Sequence, residues 1–117
     1  MTMVSRRSQQ AEQSSSLDPD EMAQHAGRAA HLLKTLGNEH RLMILCALSE
    51  GETSVRVLNE RVPLSQSALS QHLAVLREDG LVQTRREAQT IYYSVIDGPA
   101  LQVVRLVHDL YCCGARR

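Results

Sequence analysis

The sequence predicts a mainly α fold carrying one small β-hairpin, in the order ααααββα. Three observations lead there. A leucine stripe at helical spacing lies between Ser65 and Gly80, and a strand–turn–strand pattern follows it without a gap. Four further helical segments, with start or stop signals of their own, flank that pair. With 117 residues there is room for one domain and a modest core.

Residues 1–16 are rich in Ser and Gln and are expected to form a disordered tail, leaving 17–117 as the folded domain. Asp18-Pro19-Asp20-Glu21 is a helix start: a cap, a proline at the first position and acid in the first turn. Met22, Ala26, Ala29, Leu33 and Leu36 continue it as a stripe that Gly37 ends. Asn38 caps a second helix through about Leu48, stopped by Gly51. From Ser54 to Val62, the spacing of Val55, Leu58 and Val62 predicts a short positioning helix.

Pro63 stops that helix, and Ser65 is placed to cap the next with its hydroxyl. Leu69, Leu73 and Leu76 fall at i, i+4 and i+7, and Gly80 supplies the left-handed residue after the last turn. Leu81 to Arg85 and Ile91 to Val95 are predicted strands around Glu87-Ala88-Gln89-Thr90. Asp97 starts a last helix through about Cys113, with Leu101, Val104, His108 and Tyr111 on one side. Leu106, Val107 and Leu110 make that helix apolar over much of its surface. Apolar first and last helices in so small a domain predict a two-fold homodimer that buries them.

The predicted helix after Ser65 has an unusual outer face. Ser67, Ser70, Gln71, Ala74 and Arg77 lie there, where most surface helices carry Glu/Lys pairs. Small and polar groups on one face suit the major groove of double-stranded DNA. Helix, short turn, helix and hairpin together describe a winged helix-turn-helix. The expected DNA contacts are Ser65 and Gln66, with Ser67, Ser70, Gln71 and His72 at bases or nearby phosphates and His72 bordering the apolar stripe. Arg77, Arg85, Arg86, Gln89 and Thr90 are expected at the backbone. Two reading helices in a dimer imply a palindromic operator.

Charge and motifs exclude other classes. Thirteen basic and thirteen acidic residues give a formal net charge of zero, so any phosphate affinity must come from local charge. Arg56, Arg61, Arg77, Arg85 and Arg86 crowd the reading block, diluted by Glu60, Glu78, Asp79 and Glu87. No apolar run approaches a membrane span and no secretion signal opens the chain, so a cytoplasmic location with reduced cysteines is expected. No nucleophile–base–carboxylate set or phosphate-binding glycine loop appears, so neither enzymatic activity nor a cofactor is expected.

At Leu36-Gly37-Asn38-Glu39-His40-Arg41-Leu42-Met43-Ile44-Leu45, Leu64 to Leu73, Gly80-Leu81-Val82 and Tyr92-Tyr93, the chain resembles the ArsR/SmtB-type winged-helix repressors. Glu39 stands where that family usually has Pro, and the wing tip lacks its usual Gly. The family senses small effectors, usually metals. One family metal site is a Cys-x-Cys pair before the reading helix, where this chain has Ser54 and Arg56. Arginine is not a metal ligand. A second family site uses Asp-x-His and a later His pair on the last helix. Here Asp97 is followed by Pro99, and Leu110 and Cys113 stand at the later positions. No metal is expected at either place.

Cys46, Cys112 and Cys113 remain. Taken alone, Cys46 reads as an ordinary core thiol, since free Cys is among the most buried residue types. The combination resembles the thiol- and persulfide-sensing BigR/SqrR branch, which implies that Cys46 pairs with Cys112. Oxidants or reactive sulfur species would join the two, directly or through inserted sulfur, and DNA would be released. Apolar neighbours of Cys46 disfavour its thiolate, while His108 and Arg116 flank Cys112, so Cys112 is expected to react first, with Cys113 as substitute or spectator. Two alternatives stay open: a repressor sensing a thiophilic metal through Cys46, Cys112 and Cys113, and a winged-helix protein-interaction module.

Overall fold

The computed structural model describes residues 17–112. The expected tail over residues 1–16, Cys113 and Arg116 lie outside them. The described residues divide into two compact units, the first ending at His31 and the second opening at Leu32. The described part of the first unit is the opening of helix α1 (Pro19–Leu36), where the predicted cap forms: the Asp18 carboxylate accepts from the Asp20 N–H at 3.0 Å. Asp20 and Glu21 follow in the first turn, against the positive end of the helix.

The second unit holds the end of α1, then α2 (Glu39–Leu48), β1 (Thr53–Ser54), α3 (Val55–Arg61) and α4 (Gln66–Glu78). The wing strands β2 (Val82–Glu87) and β3 (Thr90–Val95) and the last helix α5 (Pro99–Tyr111) complete it. The predicted caps Asn38 and Ser65 form, and Ser54 caps the helix predicted to begin there. Asn38 Oδ1 accepts from the His40 and Arg41 N–H groups at 3.0 Å each, Ser54 Oγ from Val57 at 3.2 Å, and Ser65 Oγ from Ala68 at 3.1 Å. The core forms where these helices meet: Ile44, Leu45 and Leu48 of α2, Leu58 and Val62 around α3, Leu69, Leu73 and Leu76 of α4, with Val82, Ala100 and Val104.

Several boundaries differ from the sequence prediction. Thr53 and Ser54 pair with Tyr93 and Tyr92, so the hairpin is the larger part of a three-stranded antiparallel sheet, β1-β3-β2. Two residues are too short a run to leave a period in the sequence. The hairpin itself runs to Glu87↔Thr90, leaving Ala88 and Gln89 as the turn, with Ala88 at φ 57. Leu81 ends the helix rather than opening the strand: its N–H reaches the Leu76 carbonyl at 2.9 Å while Gly80 (φ 75) reaches Arg77 at 3.0 Å. That pair of bonds is the Schellman ending, with Leu81 packed against the core.

The last helix begins at Pro99 rather than Asp97, with Gly98 as its cap and no side-chain bond there. Proline at the first helical position loses no hydrogen bond, which fixes the start two residues later. The residues predicted on one side of α5 are not all buried. Leu101 and Val104 are buried, but His108 and Tyr111 are exposed, because the helix outruns the core beneath it. Among the described residues no helix is long and apolar enough to cross a membrane.

Candidate DNA-reading face and thiol pair

Helix α4 presents the two faces its sequence implies. Leu69, Leu73 and Leu76 are fully buried, whereas Ser65, Gln66, Ser67, Ser70, Gln71, Ala74 and Arg77 are exposed. The buried leucines hold the helix from behind, and Thr35 holds its end, donating from Oγ1 to Asp79 Oδ2 at 2.6 Å. Arg41 Nε in turn donates to the Thr35 carbonyl at 2.7 Å. The outer face is therefore a fixed array of hydroxyl and amide groups, which can both donate and accept towards base edges.

Beside the start of α4 an open groove of about 1340 Å³ separates α3 from the wing. Arg56, Arg61 and Gln66 line it on one side, Gln89, Thr90 and Tyr92 on the other. The fold thus brings Gln66, Gln89 and Thr90 of the expected set around one concavity. Ser67, Ser70 and Gln71 share the exposed face of α4. Arg86 is exposed on the wing, with Arg77 exposed near the end of α4.

Two members of the expected set are placed otherwise. His72 is half-buried, its ring 5.8 Å from that of His40. Burial, then the charges of Arg41 and His40, push its pKa below the ordinary histidine value, so near neutral pH it is an uncharged group. Arg85 is tied within the chain. Its Nε and Nη2 fork onto both carboxylate oxygens of Glu52 at 3.0 and 2.8 Å, and Nη1 donates to Glu87 at 3.0 Å. Its guanidinium lies 4.7 Å from the centre of the Tyr92 ring. The hydrogen bond from Arg85 holds the Glu52 carboxyl below its usual range.

The positions of the familiar metal sites serve other ends. Ser54 caps α3, Arg56 lines the groove, and Pro99 opens α5. Among the described residues no group of three His, Cys, Asp or Glu side chains could hold a metal ion. Two thiols remain. Cys46 is half-buried on α2, where that helix packs against α5; Cys112 caps the end of α5 and is exposed, its N–H bonded to the His108 carbonyl at 2.7 Å. A depression of about 250 Å³ beside Cys46 is lined by Ser49, Glu50, Val104, Arg105 and His108. Burial pushes the Cys46 thiol up from its ordinary pKa, and Cys112 and Glu50 are near enough to push it further. Cys46 and Cys112 thus lie within electrostatic reach of each other. Cys113, outside the described residues, cannot be placed beside them.

Comparison with known proteins agrees with this geometry. A family profile described as bacterial regulatory protein, arsR family, matches residues 38–84. The transcriptional activator HlyU of Vibrio cholerae is 52% identical over 92 residues, covering 79% of this chain and 85% of HlyU. Its reduced structure superposes with a TM-score of 0.74, covering 79% of this chain and 97% of that one. The biofilm growth-associated repressor of Xylella fastidiosa is 42% identical over 93 residues, covering 80% of this chain and 82% of the repressor. The crystal structure of that organism's repressor BigR gives a TM-score of 0.77 at 41% identity, over 82% of this chain and 98% of BigR. A homodimeric winged helix-turn-helix domain from Mycobacterium bovis gives 0.66 at 27% identity, over 82% of this chain and 88% of that one.

Proposed function

Because the chain belongs to the ArsR family of bacterial regulatory proteins and is a transcriptional regulator, not an enzyme, we propose that it is a homodimeric DNA-binding repressor that releases its operator when Cys46 and Cys112 are bridged. The observation that carries the proposal is the placement of the two thiols, one on α2 and one at the end of α5, within electrostatic reach of each other. Helix α2 packs on the reading helix α4, and Ile44 and Leu45 share its core. Helix α5 carries Leu106, Leu110 and Tyr111 at 56%, 52% and 78% exposure, an apolar face that suits a second copy of the chain. A bridge between them joins the reading block to the dimer helix. HlyU acts as an activator and BigR as a repressor; the sign depends on where the bound site lies, so the property to measure is DNA release.

The chemistry needs no group beyond the two thiols and a two-electron oxidant. The exposed Cys112 thiolate attacks the outer sulfur of an organic hydropersulfide, forming a Cys112 persulfide and freeing the thiol RSH. Cys46 then attacks Cys112 Sγ, forming the disulfide and expelling hydrosulfide. Hydrogen peroxide reaches the same disulfide through a sulfenic acid and two molecules of water. Cys46, half-buried with its pKa raised, is the poorer first nucleophile, and it attacks in the second step once it gives up its proton. A coupling of about 1–3 kcal/mol between bridge and DNA lowers affinity roughly 5- to 150-fold.

The test is a titration of reduced protein with duplex, repeated after cysteine hydropersulfide, hydrogen peroxide or zinc salt. Persulfide or peroxide is expected to release DNA from the native protein, and Cys46→Ser is expected to bind DNA normally but resist release. In that variant, mass spectrometry after limiting persulfide is expected to find the added sulfur on Cys112. Release of reduced protein by zinc alone, or equal release of Cys46→Ser, overturns the thiol bridge.

A further inference from the structure

The sequence groups Arg85 with the phosphate-facing cations, but its surroundings give it a different task. In the sheet register Arg85 stands opposite Tyr92, and Tyr92 opposite Ser54. One line therefore crosses all three strands, from the outer strand β2 over the central β3 to β1. The Arg85 side chain follows it, passing over the Tyr92 ring and closing on both oxygens of Glu52, just before β1. Glu87 takes a third donor. A guanidinium has five N–H groups, so most are already engaged, and two carboxylates beside one cation leave the cluster net negative. Phosphate gains little from approaching it.

What the arrangement does control is position. Glu52 and Tyr92 both line the groove that separates α3 from the wing, as do Gln66 at the start of α4 and Gln89 and Thr90 at the wing tip. We propose that Arg85 is a positioning residue: a strap across the sheet that sets where the wing tip stands relative to the reading helix, with Glu52 as its anchor. The proposal rests on the DNA-reading role argued above. A bidentate carboxylate fork and a ring beneath the guanidinium give the strap one geometry, which a lone surface ion pair lacks. A fixed wing fits one groove shape and discriminates among duplexes, while the number of phosphates neutralised stays the same.

The experiment compares native protein, Arg85→Gln, Arg85→Lys, Glu52→Gln and the Arg85→Gln/Glu52→Gln double. The probes are a duplex selected by native protein from a random pool and a scrambled duplex of equal length, titrated over a salt series. Each variant is expected to lower the ratio of selected to scrambled affinity by about three- to ten-fold, with the double no worse than either single. Arg85→Lys keeps the charge but not the fork, so it is expected to fall with Arg85→Gln. The slope of log affinity against log salt is expected to stay unchanged in Arg85→Gln. A slope shallower by about 0.9 for each copy of the chain on the duplex makes Arg85 a phosphate contact and overturns the proposal. So do tighter binding by Glu52→Gln, additive losses in the double, or full activity in Arg85→Lys. Should native protein select no duplex, the DNA-reading role itself fails, and the strap is still read in free protein. There, amide exchange at Gln89 and Thr90 is expected to accelerate in every variant; unchanged exchange overturns it.

Discussion

The reading block and the thiol end of this chain are built on opposite plans. From Ser54 to Leu81 every change of direction is settled by a neighbour: Ser54 and Ser65 cap their helices, and Gly80 with Leu81 closes α4. Leu58, Val62, Leu69, Leu73 and Leu76 of that stretch sit in one core. At the thiol end the partners lie far apart in sequence, Gly98 caps α5 without a side-chain bond, and α5 continues past the core with Leu106, Leu110 and Tyr111 outside. The difference teaches where a switch can be put. A block fixed by its own local bonds reads DNA in one shape. A helix held along one side can be pulled by a bridge at its end without disturbing the block's own bonds.

The largest effects separate the two faces of α4. Leu73 is 1% exposed in the centre of the core, so Leu73→Ala is expected to cost about 2–5 kcal/mol, read as a lower denaturant midpoint. Ser67→Ala/Gln71→Ala changes only exposed groups and is expected to leave stability within about 0.5 kcal/mol of the native chain. The same double is expected to weaken duplex binding by about 1–3 kcal/mol for each hydrogen-bonded base it no longer reaches. If it binds DNA as well as the native chain, the outer face of α4 is merely solvated and the comparison loses its functional half.

Legibility in the sequence follows the same division. The five helices, the caps Asp18, Asn38 and Ser65 and the leucine stripe could be read because each signal lies within a few residues of the bond it makes. The edge strand β1 could not, since Thr53 and Ser54 pair with Tyr93 and Tyr92, about forty residues on. The engagement of Arg85 escaped for the same reason: Glu52 is its neighbour only once the sheet has formed. Asp97 as a helix start failed because Pro99 outweighed it. The thiol pairing lay between these cases. Spacing alone said nothing of it, and only a resemblance suggested it, because its two thiols lie on helices that meet through the fold and not through the sequence.

A smaller effect tests how completely local bonds determine the reading block. Ala88 holds φ 57 at the wing tip, in a region where a side chain costs roughly 1–2 kcal/mol and glycine costs nothing. Glycine's greater freedom in the unfolded chain offsets part of that gain. Ala88→Gly is therefore expected to stabilise the chain by up to about 1 kcal/mol, seen as a rise in Tm. A lower Tm means the turn relies on the alanine methyl, and the wing is less locally determined than the helices.

The smallest effect vanishes at neutral pH and concerns the one titratable group of α4 that faces inward. Burial, with Arg41 and His40 beside it, holds the His72 pKa below its ordinary value. In the unfolded chain the ring titrates near 6.5. Above that pH it is neutral in both states and its contribution to stability is fully present. As pH falls through 6.5 the unfolded chain takes up the proton first, so stability drops, and the loss is complete below the depressed folded value. The Tm of the native chain is thus expected to fall more steeply between pH 7.5 and 5.5 than that of His72→Gln, with the two close to equal at pH 7.5. Parallel curves would show that His72 is solvated like the outer face of α4. A steeper native curve makes the reading block sensitive to acid through its own interior, at a group on α4 that is distinct from Cys46 and Cys112.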